Sequence, residues 1–534
     1  MKILPHAHPI LTCEQAEQYE SSVMADEAAE WSAMKQAGHE IAHCLIQDYQ
    51  ELRPVPEHLR ILALVGKGNN AGDALIACGE LLARYPRAQV DLILTGAVED
   101  FKPLAARAFN GLEGRVKSHL FQAESVAATH EFLDTISAGR GFHFCLDGLL
   151  GMNFQPPLRP PMDGLIEAVN QYELIDLRAA IDLPSGAGDG PSELRFKADF
   201  SYATGIAKKA LFEGIADCGR VRYLDLGFFN DVKAEALGEV SEFVLSPRVL
   251  QPMNKLRPAH VDKRKFGHLF IVGGSAYMPG ALLMSVQAAV RSGVGLVTAF
   301  APESVAAALS AQVPEAMWVP WPETSNGTLS PRALPLMMER IGQASAVLIG
   351  PGLGYDRNTE LLTQEVVNEV ELPVVVDADA LRPRVVEVAQ KRRSKYGEVV
   401  ITPHMGEFMR VAKISEPDYS AETLLAFSRI YRVVTVLKGP NTRICNGESI
   451  LYNTTGGPVL SRGGSGDLLS GLVGGMVAQS NSDATTAAAR GVILHGLAAQ
   501  GLARAKGQIM VHTSQLLDYL PEVLRSLEVN PRSR

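Results

Sequence analysis

Short apolar runs alternate with helical stretches along nearly the whole of this chain, and that alternation limits the folds open to it. In the first half, after a helical opening over 14–49, strand-like runs fall at 59–65, 90–94, 143–147, 179–182, 198–203 and 221–226, with helical periodicity over 74–84. In the second half the runs fall at 269–272, 296–300, 346–349, 373–376, 399–401 and 433–437. Helical runs there cover 281–291, 467–479, 483–503 and 514–527. The later strand runs are mostly apolar throughout, as strands buried on both faces are. Strand and helix in alternation predict parallel sheets covered by helices, the α/β class.

The alternation breaks over 240–264, VSEFVLSPRVLQPMNKLRPAHVDKR, where prolines stand in poor contexts for helix and a basic cluster closes the stretch. Such a run reads as a solvated connector. A single core seldom grows beyond about 250–300 residues, and the chain has 534. The expected organisation is a domain over 1–240, a linker over 241–258 and a second domain over 259–534.

Composition narrows the function classes. A hydrophobic share of 46% with 20% charged residues is that of a globular protein and excludes extensive disorder. A net charge of −9, with no Lys/Arg stripe, gives no footprint for nucleic acid. The six cysteines show no zinc spacing and read as free thiols in a reducing compartment. The opening MKILPHAHPILTCEQ lacks the apolar run of a signal peptide, and no stretch approaches a membrane span. A cytoplasmic protein that engages no membrane is expected.

In the first half, Val65-Gly66-Lys67-Gly68-Asn69-Asn70-Ala71-Gly72-Asp73 stands between a strand run and a helical run. Glycines there permit a tight turn and close backbone approach, and the helix start offers N–H groups to an anion. The spacing is neither the dinucleotide fingerprint nor a Walker loop. Two later runs also end in acids: Asp147 in Cys145-Leu146-Asp147-Gly148-Leu149-Leu150-Gly151, and Asp182 in Ile181-Asp182-Leu183-Pro184-Ser185-Gly186. In a doubly wound sheet the carboxyl ends of strands converge on one crevice, so these loops can share a site. Oxygen donors from Asn, Asp and Ser suit a hard cation better than zinc.

Together these segments resemble the NAD(P)HX epimerase family, the N-terminal module of YjeF-type proteins, over roughly residues 10–235. The family's GNNGGD, Asp-x-Leu-x-Gly and Asp-x-Pro-Ser-Gly correspond to Gly68–Asp73, Asp147–Gly151 and Asp182–Gly186, and its Lys-Pro-Gly-Leu to Lys208-Lys209-Ala210-Leu211. The resemblance implies a doubly wound Rossmann-like sheet and a potassium ion held by Asn70, Asp147 and Ser185. It further implies substrate contacts from Gly68, Asn69, Asn70, Ala71, Gly72, Asp73, Gly151 and Asp182. Epimerisation at the hydrated carbon needs only ring opening or proton exchange, so Asp182 is the expected acid–base group.

In the second half, Gly464-Ser465-Gly466-Asp467 opens a helical run. Small residues at a helix start make an anion cradle, and a carboxylate there can take a proton while the amides hold a phosphate. Other motifs end strand runs in order: Gly350-Pro351-Gly352-Leu353-Gly354, Asp377-Ala378-Asp379, Thr402-Pro403-His404-Met405-Gly406-Glu407 and Lys438-Gly439-Pro440-Asn441-Thr442. Phe266-Gly267, Gly273-Gly274-Ser275 and Pro279-Gly280-Ala281 precede them.

The Gly-x-Gly-Asp start is typical of ribokinase-like folds and by itself does not separate a kinase from a dehydratase. The ordered set, extending to Asn453-Thr454-Thr455-Gly456 and His495-Gly496-Leu497-Ala498, resembles the ADP/ATP-dependent NAD(P)H-hydrate dehydratase family over roughly 255–530. That resemblance implies a ribokinase-like α/β domain in which Ala281, Gly352, His404 and Asp467 contact the hydrated nucleotide. Lys438, Gly439, Pro440, Asn441, Thr442, Gly464, Ser465 and Gly466 would bind ADP or ATP with Mg²⁺, and Asp467 would be the catalytic base. The expected protein is a metabolite-repair enzyme, a homo-oligomer, acting on hydrated NADH or NADPH. The competing reading is a ribokinase-like small-molecule kinase carrying a non-catalytic N-terminal ligand-binding or scaffold module.

Overall fold

The computed structural model describes residues 6–527 except 113, 123–124, 214, 231–236, 238 and 480–482. The chain divides into two units, Met1–Val240 and Ser241–Arg534.

The first unit runs β1 (Ala7–Leu11), α1 (Cys13–Val23), α2 (Glu27–Tyr49), β2 (Arg60–Val65), α3 (Asn69–Arg84), β3 (Gln89–Leu94), α4 (Pro103–Asn110), β4 (Lys117–Leu120), α5 (Val126–Ser137), β5 (Phe142–Gly148), α6 (Met162–Gln171), β6 (Ile175–Ile181), β7 (Phe200–Thr204), β8 (Ala207–Lys208), α7 (Ala210–Glu213), α8 (Ile215–Cys218) and β9 (Arg220–Leu224). Seven strands form a parallel sheet in the order β4-β3-β2-β5-β6-β7-β9. Side chains alternate across a strand, and β2 sends its own to both faces. Ile61, Ala63 and Val65 enter one buried cluster with α2 and α3, whereas Leu62 and Leu64 enter another with α6. The sheet is therefore buried on both faces, the doubly wound arrangement. Strands β1 and β8 pair separately, in parallel.

The second unit runs β10 (Glu242–Leu245), β11 (His268–Val272), α9 (Pro279–Arg291), β12 (Leu296–Pro302), α10 (Glu303–Ser310), β13 (Met317–Trp321), α11 (Leu334–Met338), β14 (Ala346–Ile349), α12 (Arg357–Glu369), β15 (Val374–Val376), α13 (Pro383–Gln390), β16 (Val399–Ile401), α14 (Met405–Ala412), α15 (Ala421–Tyr431), β17 (Val433–Leu437), β18 (Arg443–Cys445), β19 (Ile450–Tyr452), α16 (Ser465–Gln479), α17 (Ala484–Lys506) and α18 (Leu520–Ser526). Its strands follow the order β13-β12-β11-β14-β15-β16-β17-β18-β19-β10. They are parallel except where β18 pairs antiparallel with β17 and β19. Strands β14 to β17 are buried at every position.

Several local features depart from the sequence reading. The helical opening is two helices, because Asp26 caps α2 by accepting from the Ala29 N–H. Helix α3 begins at Asn69, so most of the segment read as a turn is its first helical turn. The 241–258 stretch is structured: β10 pairs in parallel with β19, and Pro247–Met253 is a 3₁₀ segment with Val249 and Leu250 buried. Strand β13 escaped notice because it is partly exposed and contains Pro320, a residue confined to edges and bulges. No disulfide joins any of the six cysteines, all of which are among the described residues. No helix among the described residues is long and apolar enough to cross a membrane.

Two candidate active sites

In the first sheet the strand order reverses at β2 and β5, which lie side by side. Ligands of open α/β sheets bind outside the carboxyl ends of strands at such a switch point. A cavity of about 420 Å³ is lined here by Gly68, Asn70, Asp73, Gly151, Asp182 and Glu20, among others. No side chain caps α3, whose first turn comes directly after Gly68. A Cβ added at Gly68 would meet no protein atom within 4 Å. Chain packing does not demand glycine there, and the open space exposes the helix start to an anion.

Three of the strand-end groups are knitted together. The fully buried Asp147 accepts from Ser185 N–H (2.7 Å), Ser185 Oγ–H (2.6 Å) and Leu149 N–H (3.3 Å). Ser185 Oγ in turn accepts from Leu150 N–H (3.0 Å), and Asn70 Nδ2 donates to Leu150 O (2.8 Å). Burial pushes the Asp147 carboxyl up to about 6, against the pull of these hydrogen bonds, and no cation is among the influences on it. A buried carboxylate without a counter-charge, beside the Leu150 carbonyl and the Asn70 side chain, fits a hard monovalent cation.

Asp182 comes after β6 with φ 63°, a left-handed conformation uncommon outside glycine. Its Oδ1 accepts from Lys208 Nζ (2.5 Å), Thr204 Oγ1 (3.1 Å) and Thr204 N (3.2 Å). Lys208 is fully buried. Burial pulls its ammonium down, but Asp182 and Glu20 outweigh that and leave it raised. Two other cavity-lining acids are raised. Burial, then the charge of Asp182, pushes Asp73 well above the usual range. Burial pushes Glu20 up to about 7, opposed by Lys208.

In the second sheet the reversal falls at β11 and β14. Ala281 stands in the first turn of α9, after β11, and Gly352 comes after β14. At Gly352, φ is 63° and a Cβ would come within 2.3 Å of Met278 O and 3.0 Å of Ala281 Cβ. Only glycine lets the two loops close, and so these two expected substrate contacts are brought together.

The next strand ends carry a charged cluster. After β15, Asp377 accepts from Thr402 Oγ1 (2.6 Å) and Lys438 Nζ (3.1 Å). Lys438 Nζ also lies 3.7 Å from Glu407 Oε2. Burial pulls the Lys438 ammonium down, and Asp377 and Glu407 more than offset it. His404 caps α14, its Nδ1 accepting from Glu407 N–H (3.3 Å), and its side chain is exposed. Lys438 to Thr442 forms the connection between β17 and β18. A Cβ on Gly466 would stand 3.3 Å from Lys438 Nζ, so Lys438 reaches the start of α16. There Asp467 is fixed through its carbonyl, which accepts from Ser285 Oγ of α9 (2.9 Å). Burial, then the neighbouring Asp377, pushes the Asp467 carboxyl up to about 7, against the pull of Lys438.

Known proteins bear on both sites. A family model described as NAD(P)H-hydrate dehydratase matches residues 269–522, and one described as YjeF-related protein N-terminus matches 31–210. The bifunctional NAD(P)H-hydrate repair enzyme Nnr of Moorella thermoacetica is 32% identical over 485 residues, 88% of each chain. Its namesake in Coxiella burnetii is 32% identical over 481 residues, 87% of this chain and 90% of that one. The chain belongs to the bifunctional NAD(P)H-hydrate repair enzyme family. A solved structure of ADP/ATP-dependent NAD(P)H-hydrate dehydratase from Bacillus subtilis, co-crystallised with ATP/Mg²⁺, is 28% identical, with a TM-score of 0.44, over 51% of this chain and 93% of that one.

Family membership disfavours the small-molecule kinase reading. For this repair-enzyme chain the structure brings Asn70, Asp147 and Ser185 into one hydrogen-bonded group, and Gly68, Asp73, Gly151 and Asp182 onto one cavity. It brings Lys438, Gly466 and Asp467 to one helix start. The sequence reading missed Glu20 and Thr204 in the first site, named Lys208 in a family motif without giving it a role, and gave no role to Asp377 and Glu407 in the second. Asp377 and Glu407 had a usable signal, since both stand in strand-end motifs. Glu20 had none, because it lies mid-helix in a polar stretch.

Proposed function

We propose that the protein repairs hydrated NAD(P)H. The first unit interconverts the two epimers of the hydrate. The second uses ADP or ATP to dehydrate one of them back to NAD(P)H. One observation carries this reading: in each unit of a repair-family chain a carboxylate at a strand end or helix start has a lysine among the charges acting on it, Asp182 with Lys208 and Asp467 with Lys438.

In the second unit Asp467 takes the proton from the ring hydroxyl as its oxygen attacks the terminal phosphorus of the nucleotide. The shorter nucleotide leaves. Phosphate is a far better leaving group than hydroxide: as its C–O bond breaks, the neighbouring ring carbon gives up a proton to the departing phosphate, and the C–H electron pair forms the C=C bond that restores the dihydropyridine. An acid–base group works best with a pKa near the working pH, and Asp467 at about 7 fits. The N–H groups of Gly464, Ser465 and Gly466 and the Lys438 ammonium would hold the phosphates. Among the described residues no group of three His, Cys, Asp or Glu is placed to hold a metal unaided. Mg²⁺ would therefore ride on the phosphates, offsetting charge in a site where acids outnumber Lys438. In the first unit K⁺ would be held by Asn70, Asp147 and Ser185, supplying the counter-charge that Asp147 lacks. Asp182 is the acid–base group there.

The test mixes purified protein with both hydrate epimers, Mg²⁺ and ADP or ATP in turn, and tracks dihydronicotinamide absorbance. Full recovery is expected. Recovery of one epimer only would sink the epimerase half, and a stable phosphorylated product would mark a kinase instead.

A further inference from the structure

We propose that Glu20 is the acid–base partner of Asp182 in the first site, one acting on the hydroxyl that leaves the hydrated carbon and the other on the water that replaces it. The inference rests on the epimerase reading.

Inverting the hydrated carbon exchanges one face of the ring for the other. That carbon bears both a hydroxyl and the ring nitrogen. The nitrogen lone pair can form a C=N bond as the C–O bond breaks, provided the departing oxygen receives a proton and leaves as water. A water then adds from the opposite face, the C=N electron pair returns to nitrogen, and a base takes the surplus proton. One water leaves, one enters, and one proton passes between two groups. A single carboxylate serves both faces poorly, so the chemistry asks for two.

The cavity supplies them from separate elements. Asp182 comes from the end of β6 and Glu20 from α1, and both line the same space. Lys208 and Thr204 donate to Oδ1 of Asp182, and none of these bonds goes to Oδ2. The Asp182 carboxylate is thus held rigid with one oxygen left for a proton. The Glu20 carboxyl is half-buried and makes no hydrogen bond or ion pair among the described residues. The charges around it are Glu17 on its own helix, Glu30 on α2, Asp73 on α3, Asp182 and Lys208. Lys67 and Lys102 also line the cavity, and Lys67 is paired with Asp100. Acids outnumber the buried lysine, so one more proton is retained, and at about 7 Glu20 can both give and accept it. Asp73, held well above the ordinary range, gives up a proton less readily.

The active form carries one proton on the Glu20–Asp182 pair in either direction of reaction. Epimerisation should therefore fall as pH rises above about 7, where Glu20 loses its proton. The experiment measures interconversion of the purified epimers without nucleotide, above the protein-free rate, across pH 5–9, for wild type, E20Q and E20D. Dehydration of the favoured epimer with nucleotide serves as the folding control. E20Q should lose about 10²-fold or more together with the alkaline limb, E20D should recover most of the rate, and dehydration should be unchanged in both. E20Q within threefold of an active wild type, or with the same pH profile, overturns the assignment alone. A wild type that does not interconvert the epimers overturns the epimerase reading and the assignment with it.

Discussion

Asp467 and Asp147 show how burial sets the behaviour of single residues. Both carboxyls are raised by desolvation, Asp467 to about 7 and Asp147 to about 6. A general base acts only when ionised, so dehydratase kcat/KM should drop about tenfold per unit as pH falls below 7. Asp467→Asn should remove that limb and lower turnover by about 10²–10⁴-fold. A D467N profile that keeps the limb would assign it to another group. For Asp147 the readout is stability. A cation that binds the ionised carboxylate in the folded state alone stabilises that state. Protonation competes with the ion, so K⁺ should raise the unfolding temperature of the first unit at pH 8, and the gain should vanish as pH falls through about 6. An equal gain at pH 5 and pH 8 would place the ion elsewhere.

At the scale of elements, α16 is held against α9 more closely than ordinary side chains allow. A Cβ at Gly471 would come within 2.2 Å of Ser285 O and 2.9 Å of Ala288 Cβ. This approach is what lets Ser285 Oγ reach the Asp467 carbonyl. Gly471→Ala should push the helices apart, at about 1–3 kcal/mol for overpacking, and misplace Asp467. A lower unfolding temperature for the second unit, a lower dehydratase kcat and unchanged epimerisation are expected. Unaltered dehydratase kinetics would show that helix spacing does not govern the position of Asp467. Much of this element was readable from the chain, since Gly464-Ser465-Gly466-Asp467 marks a helix start whatever surrounds it. The tight contact was not, because Gly471 looks like any other glycine in an apolar helix until α9 is laid beside it.

For the whole molecule, each site is assembled from residues of one unit. Asp182, Lys208, Thr204 and Glu20 all lie before Val240, and Asp377, Glu407, Lys438 and Asp467 all lie after it. The two activities should therefore be separable by mutation. Asp182→Asn should abolish accelerated epimerisation while leaving dehydration of the favoured epimer within about twofold, and Asp467→Asn should do the reverse. Assays on the separate epimers test this. Loss of both activities in either variant would mean that the units depend on one another.

The sequence by itself determined the α/β class, the two successive sheets and the loops that carry Gly68–Asp73, Asp147, Asp182 and Asp467. Those features are local: hydrophobic periodicity, glycine spacing and a polar residue at the end of an apolar run act over a few neighbours. It did not reveal that Lys208 would be buried against Asp182, that Glu20 would enter the same cavity, or that Asp377 and Glu407 would share Lys438. Those pairings join residues far apart in the chain, and their energies depend on desolvation and distance, which exist only once the strands have taken their order in the sheet.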